Sequence, residues 1–383
     1  DISENINLPL NDVNKIDEFI KDKNIDLIVV GPEQPLVDGV VDFFEKKNIN
    51  IFGPNKIASQ LEGSKIFTKK LCEKYKIPSA KFGIFESAEN AQNFVSESNF
   101  PLVVKADGLA AGKGVYICKD LESAKFAISE IFNGKFGKAN NVLIEEFLEG
   151  EEMSYFVISD GKTYKKFETA QDHKRVGEGD QGKNTGGMGA YSPSALINDE
   201  LDKKIINKII EPTLKGLKDL GTDFKGFLYA GLMIVKNEPY LIEYNVRMGD
   251  PECQTILPRL KTDLLDLLLY CCKKNLSKIK LDWQDDKSLC VVLCSKGYPE
   301  NYNNNIEIAG LNKIKVSNKE YIYHAGTEKK KNITYSNGGR VLNFSVLSKD
   351  LKDARTKAIK MIQQLNWNNG FYRRDIGFKA IKD

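Results

Sequence analysis

The run Leu241-Ile242-Glu243-Tyr244-Asn245-Val246-Arg247 alternates like a strand, and side chains two apart on a strand share one face. Glu243, Asn245 and Arg247 are therefore predicted to point together. A carboxylate, an amide oxygen and a guanidinium on one face suit Mg²⁺, a hard cation that takes oxygen ligands and shares them with substrate phosphates. A solvated strand face is the competing reading. Gly249-Asp250-Pro251-Glu252 then turns the chain and sets two more acids beside the same face.

A second candidate is Lys105-Ala106-Asp107-Gly108-Leu109-Ala110-Ala111-Gly112-Lys113-Gly114-Val115. It is not a P-loop: Gly108 to Lys113 is one residue short, and Gly114 stands where a Ser or Thr would meet magnesium. A strand follows it, so no helix N-terminus receives the anion. A glycine-rich turn between strands still lets backbone N–H groups approach phosphate oxygens, with Lys105 supplying charge. A plain flexible hairpin competes with that reading.

Residues 171–194 are polar and glycine-rich without periodicity, longer than the roughly 12 to 15 residues structureless connections usually reach, so a functional or disordered loop is predicted. It carries Gln171-Asp172-His173-Lys174-Arg175 and Asn184-Thr185-Gly186-Gly187-Met188-Gly189-Ala190-Tyr191-Ser192-Pro193, whose amides could form an anion nest. His173 is one of two histidines and has no serine or cysteine nucleophile paired with it, so covalent triad chemistry is not expected.

The elements that must hold these residues read as α/β. Helix Val13 to Lys21 leads to a strand at Leu27 to Val30, a helix follows at Gly39 to Lys47, and a second strand at Ile49 to Phe52. A long helix is predicted over Ser59 to Lys76. Strands at Leu102 to Lys105, Val115 to Cys118 and Val142 to Phe147, with a helix at Leu121 to Phe132, make residues 79–150 a compact unit able to act as a lid. A helix around Lys203 to Leu220 precedes strands Leu228 to Val235 and Tyr240 to Val246, joined by a turn at Asn237-Glu238-Pro239. After a helix at Leu264 to Lys274 and a polar linker at 276–287, Ser288 to Asp383 alternates strands (Cys290 to Cys294, Arg340 to Leu347) with a helix (Leu351 to Leu365).

A chain of 383 residues exceeds one hydrophobic core, so two to three domains are expected. With 41% hydrophobic and 28% charged residues, fibrous and disordered classes are excluded. The 56 basic residues are balanced by 53 acidic ones, and no block of like charge resembles a nucleic-acid arm. The most apolar stretch, Leu264 to Cys272, is interrupted by Asp266 and is far shorter than the ~20 residues of a membrane span. Asp1 to Asp12 is polar and acidic, without a secretory signal's pattern, which predicts a cytoplasmic protein with reduced, buried thiols.

Taken together these strings resemble the ATP-grasp fold, and within it the phosphoribosylamine-glycine ligase (glycinamide ribonucleotide synthetase) family. The resemblance covers essentially the whole chain. It rests on Val30-Gly31-Pro32-Glu33, Leu61-Glu62-Gly63-Ser64-Lys65, the Lys105 to Val115 run, Gln171 to Arg175, Asn184 to Pro193 and Glu243 to Glu252. Gly297-Tyr298-Pro299, His324-Ala325-Gly326-Thr327 and Asn337-Gly338-Gly339-Arg340 extend it into the last domain.

The resemblance implies an N-terminal doubly wound α/β substrate domain (1–60), an ATP-grasp domain (61–275, lid about 79–150) and a C-terminal α+β domain (288–383). The implied reaction joins glycine to 5-phosphoribosylamine through glycyl phosphate, giving N1-(5-phosphoribosyl)glycinamide, ADP and phosphate in purine biosynthesis. ATP is the cofactor, with Mg²⁺ or Mn²⁺ on Glu243 and Asn245. Lys65, Lys105, Gly108, Gly112, Lys113 and Gly114 would meet the phosphates, the strand end Glu145, Glu146 and Leu148 the adenine, and Glu152 the ribose. Arg247, Lys105 and Asp172 would be catalytic. Glu33, Asp172, Lys174, Thr185, Gly186, Gly187, Gly189, Arg247, Asp250 and Glu252 would line the substrate site. A monomer acting on small molecules, with no nucleic-acid or membrane partner, is implied.

The family also has a first strand and a turn of the Gly-Asn-Gly-Gly-Arg-Glu type that no segment here matches, so the first sheet is expected to be incomplete. The alternatives are another ATP-grasp carboxylate-amine ligase, or an ATP-binding protein inactive for want of that segment.

Overall fold

A computed structural model of the chain describes residues 3–109, 114–137, 139–365 and 367–381. Gly112 and Lys113 of the glycine-rich run lie outside the described residues.

Helix α1 (Val13–Lys23) starts where the Asp12 side chain accepts the Lys15 N–H and stops where Asn24 turns left-handed. Strands β1 (Ile28–Val29) and β2 (Ile51–Phe52) pair in parallel. Between them the sequence predicted one helix from Gly39, but two form, α2 (Glu33–Asp38) and α3 (Val40–Glu45). Gly39, at φ 97°, ends the first and begins the second, a conformation that favours glycine. The single helix expected over 59–76 is likewise split into α4 (Gln60–Gly63) and α5 (Lys65–Tyr75). Ser64 is extended at the break, and its hydroxyl caps α5 by accepting from the Phe67 N–H.

Strands β3 (Phe82–Phe85), β4 (Leu102–Ala106), β5 (Val115–Cys118) and β6 (Val142–Glu146) form an antiparallel sheet in the order β3-β6-β4-β5. Helices α6 (Ala88–Ser96) and α7 (Leu121–Phe132) close a core around Val104, Ala124, Ile128 and Ile144. The α7 limits match the periodicity, and an Asp120/Ser123 capping box fixes its start.

The long strands β7 (Glu151–Asp160) and β8 (Tyr164–Asp172) follow, neither of them marked in the sequence. The segment expected to be structureless then forms β9 (Arg175–Gly177), β10 (Gln181–Asn184) and β11 (Gly189–Ser192). Helices α8 (Asp199–Ile205) and α9 (Glu211–Asp219) are joined by a π-helical turn. Strands β12 (Lys225–Val235) and β13 (Glu238–Asn245) form a hairpin whose turn is Lys236-Asn237 rather than Asn237-Glu238-Pro239. Both turn residues have positive φ, 50° and 63°, as tight hairpins demand, and Pro239 already lies in β13.

After α10 (Cys253–Ile256) and α11 (Leu264–Cys272) come β14 (Lys287–Ser295), β15 (Glu320–His324), β16 (Thr327–Lys330), β17 (Ile333–Ser336), β18 (Arg340–Ser348), α12 (Leu351–Gln363) and β19 (Gly370–Phe371). One large sheet runs β13-β12-β7-β8-β11-β14-β18-β15. Short β11 is its joint, with Ala190 opposite Asp172 on one side and Cys290 on the other, so the last quarter of the chain is held in register with the centre. The cysteines are all free, five of them buried. Among the described residues no helix is long and apolar enough to cross a membrane.

Candidate active site

A cavity of about 610 Å³ lies between the small sheet, the β12–β13 end of the large sheet and the N-terminal segment. One wall is cationic. Lys105 is almost fully buried on β4, and its Nζ lies 2.7 Å from Glu145 Oε2. Lys69 on α5 approaches Glu145 Oε1 at 2.9 Å. All three side chains are 5% exposed or less. Burial alone would push the Glu145 carboxyl up, but the two ammonium groups hold it below its ordinary range.

Lys65, first in α5, donates to the Gly108 carbonyl at 2.9 Å. Asp107 accepts from the Ser64 hydroxyl and the Ile66 N–H, each at 3.2 Å. The break before α5 thus fastens the glycine-rich turn to the helix carrying both lysines. Burial lowers the pKa of Lys65. Glu146 and Leu148 continue this wall, and the Glu146 carboxylate is engaged by the Lys81 N–H at 2.9 Å.

The floor is the end of β13. Gly231 sits opposite Glu243 and Leu232 opposite Leu241, so Ile242 is an extra residue on β13. Beyond this bulge Glu243, Asn245 and Arg247 all face the cavity. A Cβ on Gly231 would lie 3.4 Å from Glu243 Cγ, so the glycine leaves space for that side chain. One carboxylate and one amide oxygen beside the ammonium groups of Lys65 and Lys105 fit Mg²⁺, which keeps few protein ligands and completes its shell with phosphates and water. Among the described residues no group of three His, Cys, Asp or Glu could cage a metal on its own.

Arg247 is oriented by two acids that precede the small sheet in the chain. Its Nη2 donates to Glu62 Oε1 at 2.8 Å and its Nε to Glu33 Oε2 at 3.2 Å, while Glu62 Oε2 accepts the Val246 N–H at 2.8 Å. Burial pushes the Glu62 carboxyl up to about 7, outweighing the attraction of Arg247.

The opposite wall is acidic and looped. Lys174 Nζ pairs with Glu152 Oε2 at 2.6 Å, which with burial opposing holds the Glu152 pKa down. Burial raises Asp172, to about 8, with Glu252 and Glu152 adding to the shift and Lys174 opposing it. Glu252 Oε1 accepts from the Tyr229 hydroxyl at 2.8 Å and from Ser154 Oγ at 3.0 Å. Arg340 ties this wall together: Nη1 donates to the carbonyls of Gly186 and Asp250, each at 2.6 Å, and Nη2 to Asp250 Oδ2 at 3.0 Å.

The structure gathers most of the predicted residues around one cavity. On the cationic side these are Lys65, Lys105, Gly108, Gly114, Glu145, Glu146 and Leu148. Across from them stand Glu33, Glu152, Asp172, Lys174, Thr185, Gly186, Asp250 and Glu252, with Glu243, Asn245 and Arg247 between.

Two expected substrate contacts are placed elsewhere. Gly187 packs on Pro251, where a Cβ would come within 2.5 Å of Cδ, and Gly189 lies in β11 against the Cys290 carbonyl. Nor is there an open anion nest in that loop. The N–H groups of Thr185, Gly186, Gly187 and Met188 are taken by Lys174 O, the Tyr298 hydroxyl, Thr185 Oγ1 and His173 O.

Glu62, Lys69, Tyr229 and Arg340 belong to the cavity wall without having been singled out. For Lys69 a signal existed: it lies four residues after Lys65, on the same face of one helix.

Comparison with known proteins agrees across the chain. Residues 1–62 match the phosphoribosylglycinamide synthetase N domain, 63–253 its ATP-grasp (A) domain and 288–379 its C domain. A phosphoribosylamine-glycine ligase of Agrobacterium fabrum is 47% identical over 377 residues, covering 98% of this chain and 89% of its own. A chloroplastic one of Arabidopsis thaliana is 47% identical over 382 residues, covering 98% and 72%. The crystal structure of phosphoribosylamine-glycine ligase from Thermotoga maritima superposes with a TM-score of 0.78 at 34% identity, covering 85% of this chain and 82% of that one. At 16% identity a 2-oxoglutarate carboxylase biotin carboxylase domain of Hydrogenobacter thermophilus, in complex with MgADP, shares the fold with a TM-score of 0.70, covering 96% and 81%.

Proposed function

The chain belongs to the phosphoribosylglycinamide synthetase family, and on that premise we propose how its residues work as a phosphoribosylamine-glycine ligase of purine biosynthesis. ATP activates the glycine carboxylate as glycyl phosphate, and the amine of 5-phosphoribosylamine displaces phosphate to give N1-(5-phosphoribosyl)glycinamide. A free carboxylate resists attack by an amine; phosphoryl transfer supplies the leaving group, and catalysis is chiefly positioning and charge neutralisation.

Lys65 and Lys105 bind the ATP phosphates with Gly108 and Gly114 beside them, and the backbone of Glu145 to Leu148 holds adenine with Glu152 near the ribose. Glu243 and Asn245 would hold Mg²⁺, which when bound offsets charge on the phosphate oxygens. Arg247 stabilises the acyl phosphate as negative charge moves onto it. Asp172, whose pKa burial has raised, stands with Lys174, Thr185, Gly186, Asp250 and Glu252 on the side that takes glycine and phosphoribosylamine. Mn²⁺ as an alternative to Mg²⁺, a monomer and a cytoplasmic setting complete the proposal.

The observation that carries the assignment is the convergence of two phosphate-side lysines, the Glu243-Asn245 pair and Arg247 on one cavity. The experiment is ADP release with ATP, Mg²⁺, glycine and freshly made phosphoribosylamine. Release should require both substrates, and release supported equally by other carboxylates would contradict the choice of glycine.

A further inference from the structure

We propose that the C-terminal segment 373–379 is a latch that sets the position of the acceptor wall, with Arg373 as its positioning residue. This rests on the reading that Lys174, Thr185 and Gly186 face glycine and phosphoribosylamine.

The hairpin β9–β10 hangs directly between those residues, Lys174 before it and Thr185 and Gly186 after it. Its own ladder is weak. Only Gln181 opposite Gly177 and Asn184 opposite Arg175 pair, with a register shift between them, and Gly179 at its tip is left-handed at φ 65°. An isolated two-stranded hairpin is marginally stable at best. Something else must hold it.

That support comes from almost 200 residues later. The Arg373 side chain is 1% exposed; Nη1 donates to Asp180 Oδ1 at 2.7 Å and to the Arg175 carbonyl at 3.0 Å. Nε and Nη2 grip Asp375 at 2.8 and 2.7 Å, and Asp375 Oδ2 in turn accepts the Gly179 N–H at 2.7 Å. Lys379 Nζ lies 2.8 Å from Asp180 Oδ2. Two cations thus face two carboxylates, and four of the five N–H groups of the buried guanidinium are engaged by these carboxylates and the Arg175 carbonyl, so the buried charge is paired and hydrogen-bonded.

His173 completes the latch from the hairpin side. Its Nε2 accepts the Gly377 N–H at 2.9 Å, which places the ring proton on Nδ1, 3.2 Å from Asp180 Oδ1. This buried histidine therefore serves as a connector, with the imidazole neutral. Lys65, Lys105 and Glu145 sit on α5, β4 and β6, away from these contacts, and Glu152, which pairs with Lys174, is fixed on β7, so loosening the latch should disturb the acceptor side and spare the nucleotide side.

The test compares the full-length chain with its Arg373→Lys and Asp180→Asn variants. Lysine keeps the charge of Arg373 and loses its fork. Asp180 is 25% exposed, so its variant decides the matter if Arg373→Lys fails to fold. Hydrogen exchange at 175–184 without substrates should quicken in the variants while 102–118 stays as before.

The KM for glycine or phosphoribosylamine should rise about tenfold with the loss of a charge-assisted hydrogen bond, the KM for ATP staying within about twofold. Unchanged exchange, unchanged KM values, or a parallel rise in the KM for ATP would each overturn the latch. Absence of glycine-dependent ADP release from the unaltered chain would overturn the ligase reading instead, and exchange would still judge the latch.

Discussion

The wall proposed for the nucleotide draws its charges from neighbouring pieces of the chain: Lys105 on β4, Glu145 on the adjacent β6, and Lys69 on α5. The wall proposed for the acceptor draws on residues 172, 174, 185, 250 and 340, and its hairpin is bonded to residues 373–379. The first is a buried ion-pair cluster between the small sheet and α5. The second is a set of loops at the joint of the large sheet, stabilised by contacts distant in sequence. The nucleotide half of the site is thus made locally, and the acceptor half exists only when the whole chain is folded.

Substitutions should separate the two walls. The largest effect is expected at the floor they share: Glu243→Gln should lower Mg²⁺-dependent ADP release by about 100-fold or more, since the carboxylate proposed to hold the metal becomes a neutral amide with one oxygen fewer. Its melting temperature should move by no more than about 4 °C, because no core is touched. An unchanged rate would remove Glu243 from the metal site.

Next is Lys69→Met, which takes one of two cations from buried Glu145. Losing a partner from a buried pair costs about 3 kcal/mol, seen as an earlier urea midpoint, and the KM for ATP should rise while that for glycine does not. A rise for glycine alone would break the division between the walls.

Arg340→Lys loses the fork that joins Gly186 to Asp250 and should raise an acceptor-side KM about tenfold without affecting ATP. An effect confined to ATP would reverse the assignment of that wall.

The smallest effect is a slope. The buried Glu62 carboxyl titrates near 7 in the folded chain and near 4.3 unfolded, so between these values the native state holds a proton that the unfolded state has lost. Stability should therefore fall as pH rises through that window, by at most about 1.4 kcal/mol per pH unit from this group. Denaturant titrations at pH 5 and pH 8 should show a smaller fall for Glu62→Gln than for the unaltered chain; equal falls would show that Glu62 is not the group responsible.

The same contrast governs what could be read in the sequence. Strands β4, β5 and β6 and helix α7 were legible because short β-branched runs and an amphipathic period survive in a small, locally connected unit. Glu243, Asn245 and Arg247 were legible from strand parity, and the bulge at Ile242 lies just before that run.

The acceptor wall was not legible in this way. Residues 171–194 show no period, because β9, β10 and β11 are held by partners near 290 and 375 rather than by their own pattern. Gly187 and Gly189, expected as ligand contacts, pack against Pro251 and the Cys290 carbonyl, and a glycine needed for close packing looks the same in sequence as one needed for a phosphate. Glu33, Glu62 and Arg247 meet only in the fold, and no spacing announces that contact.

The most direct test is ADP release followed with ATP and Mg²⁺ while glycine and phosphoribosylamine are supplied separately and together. Release that appears only with both, matched mole for mole by N1-(5-phosphoribosyl)glycinamide, is the result predicted here. Release indifferent to glycine, or equal with other small carboxylates, would contradict it.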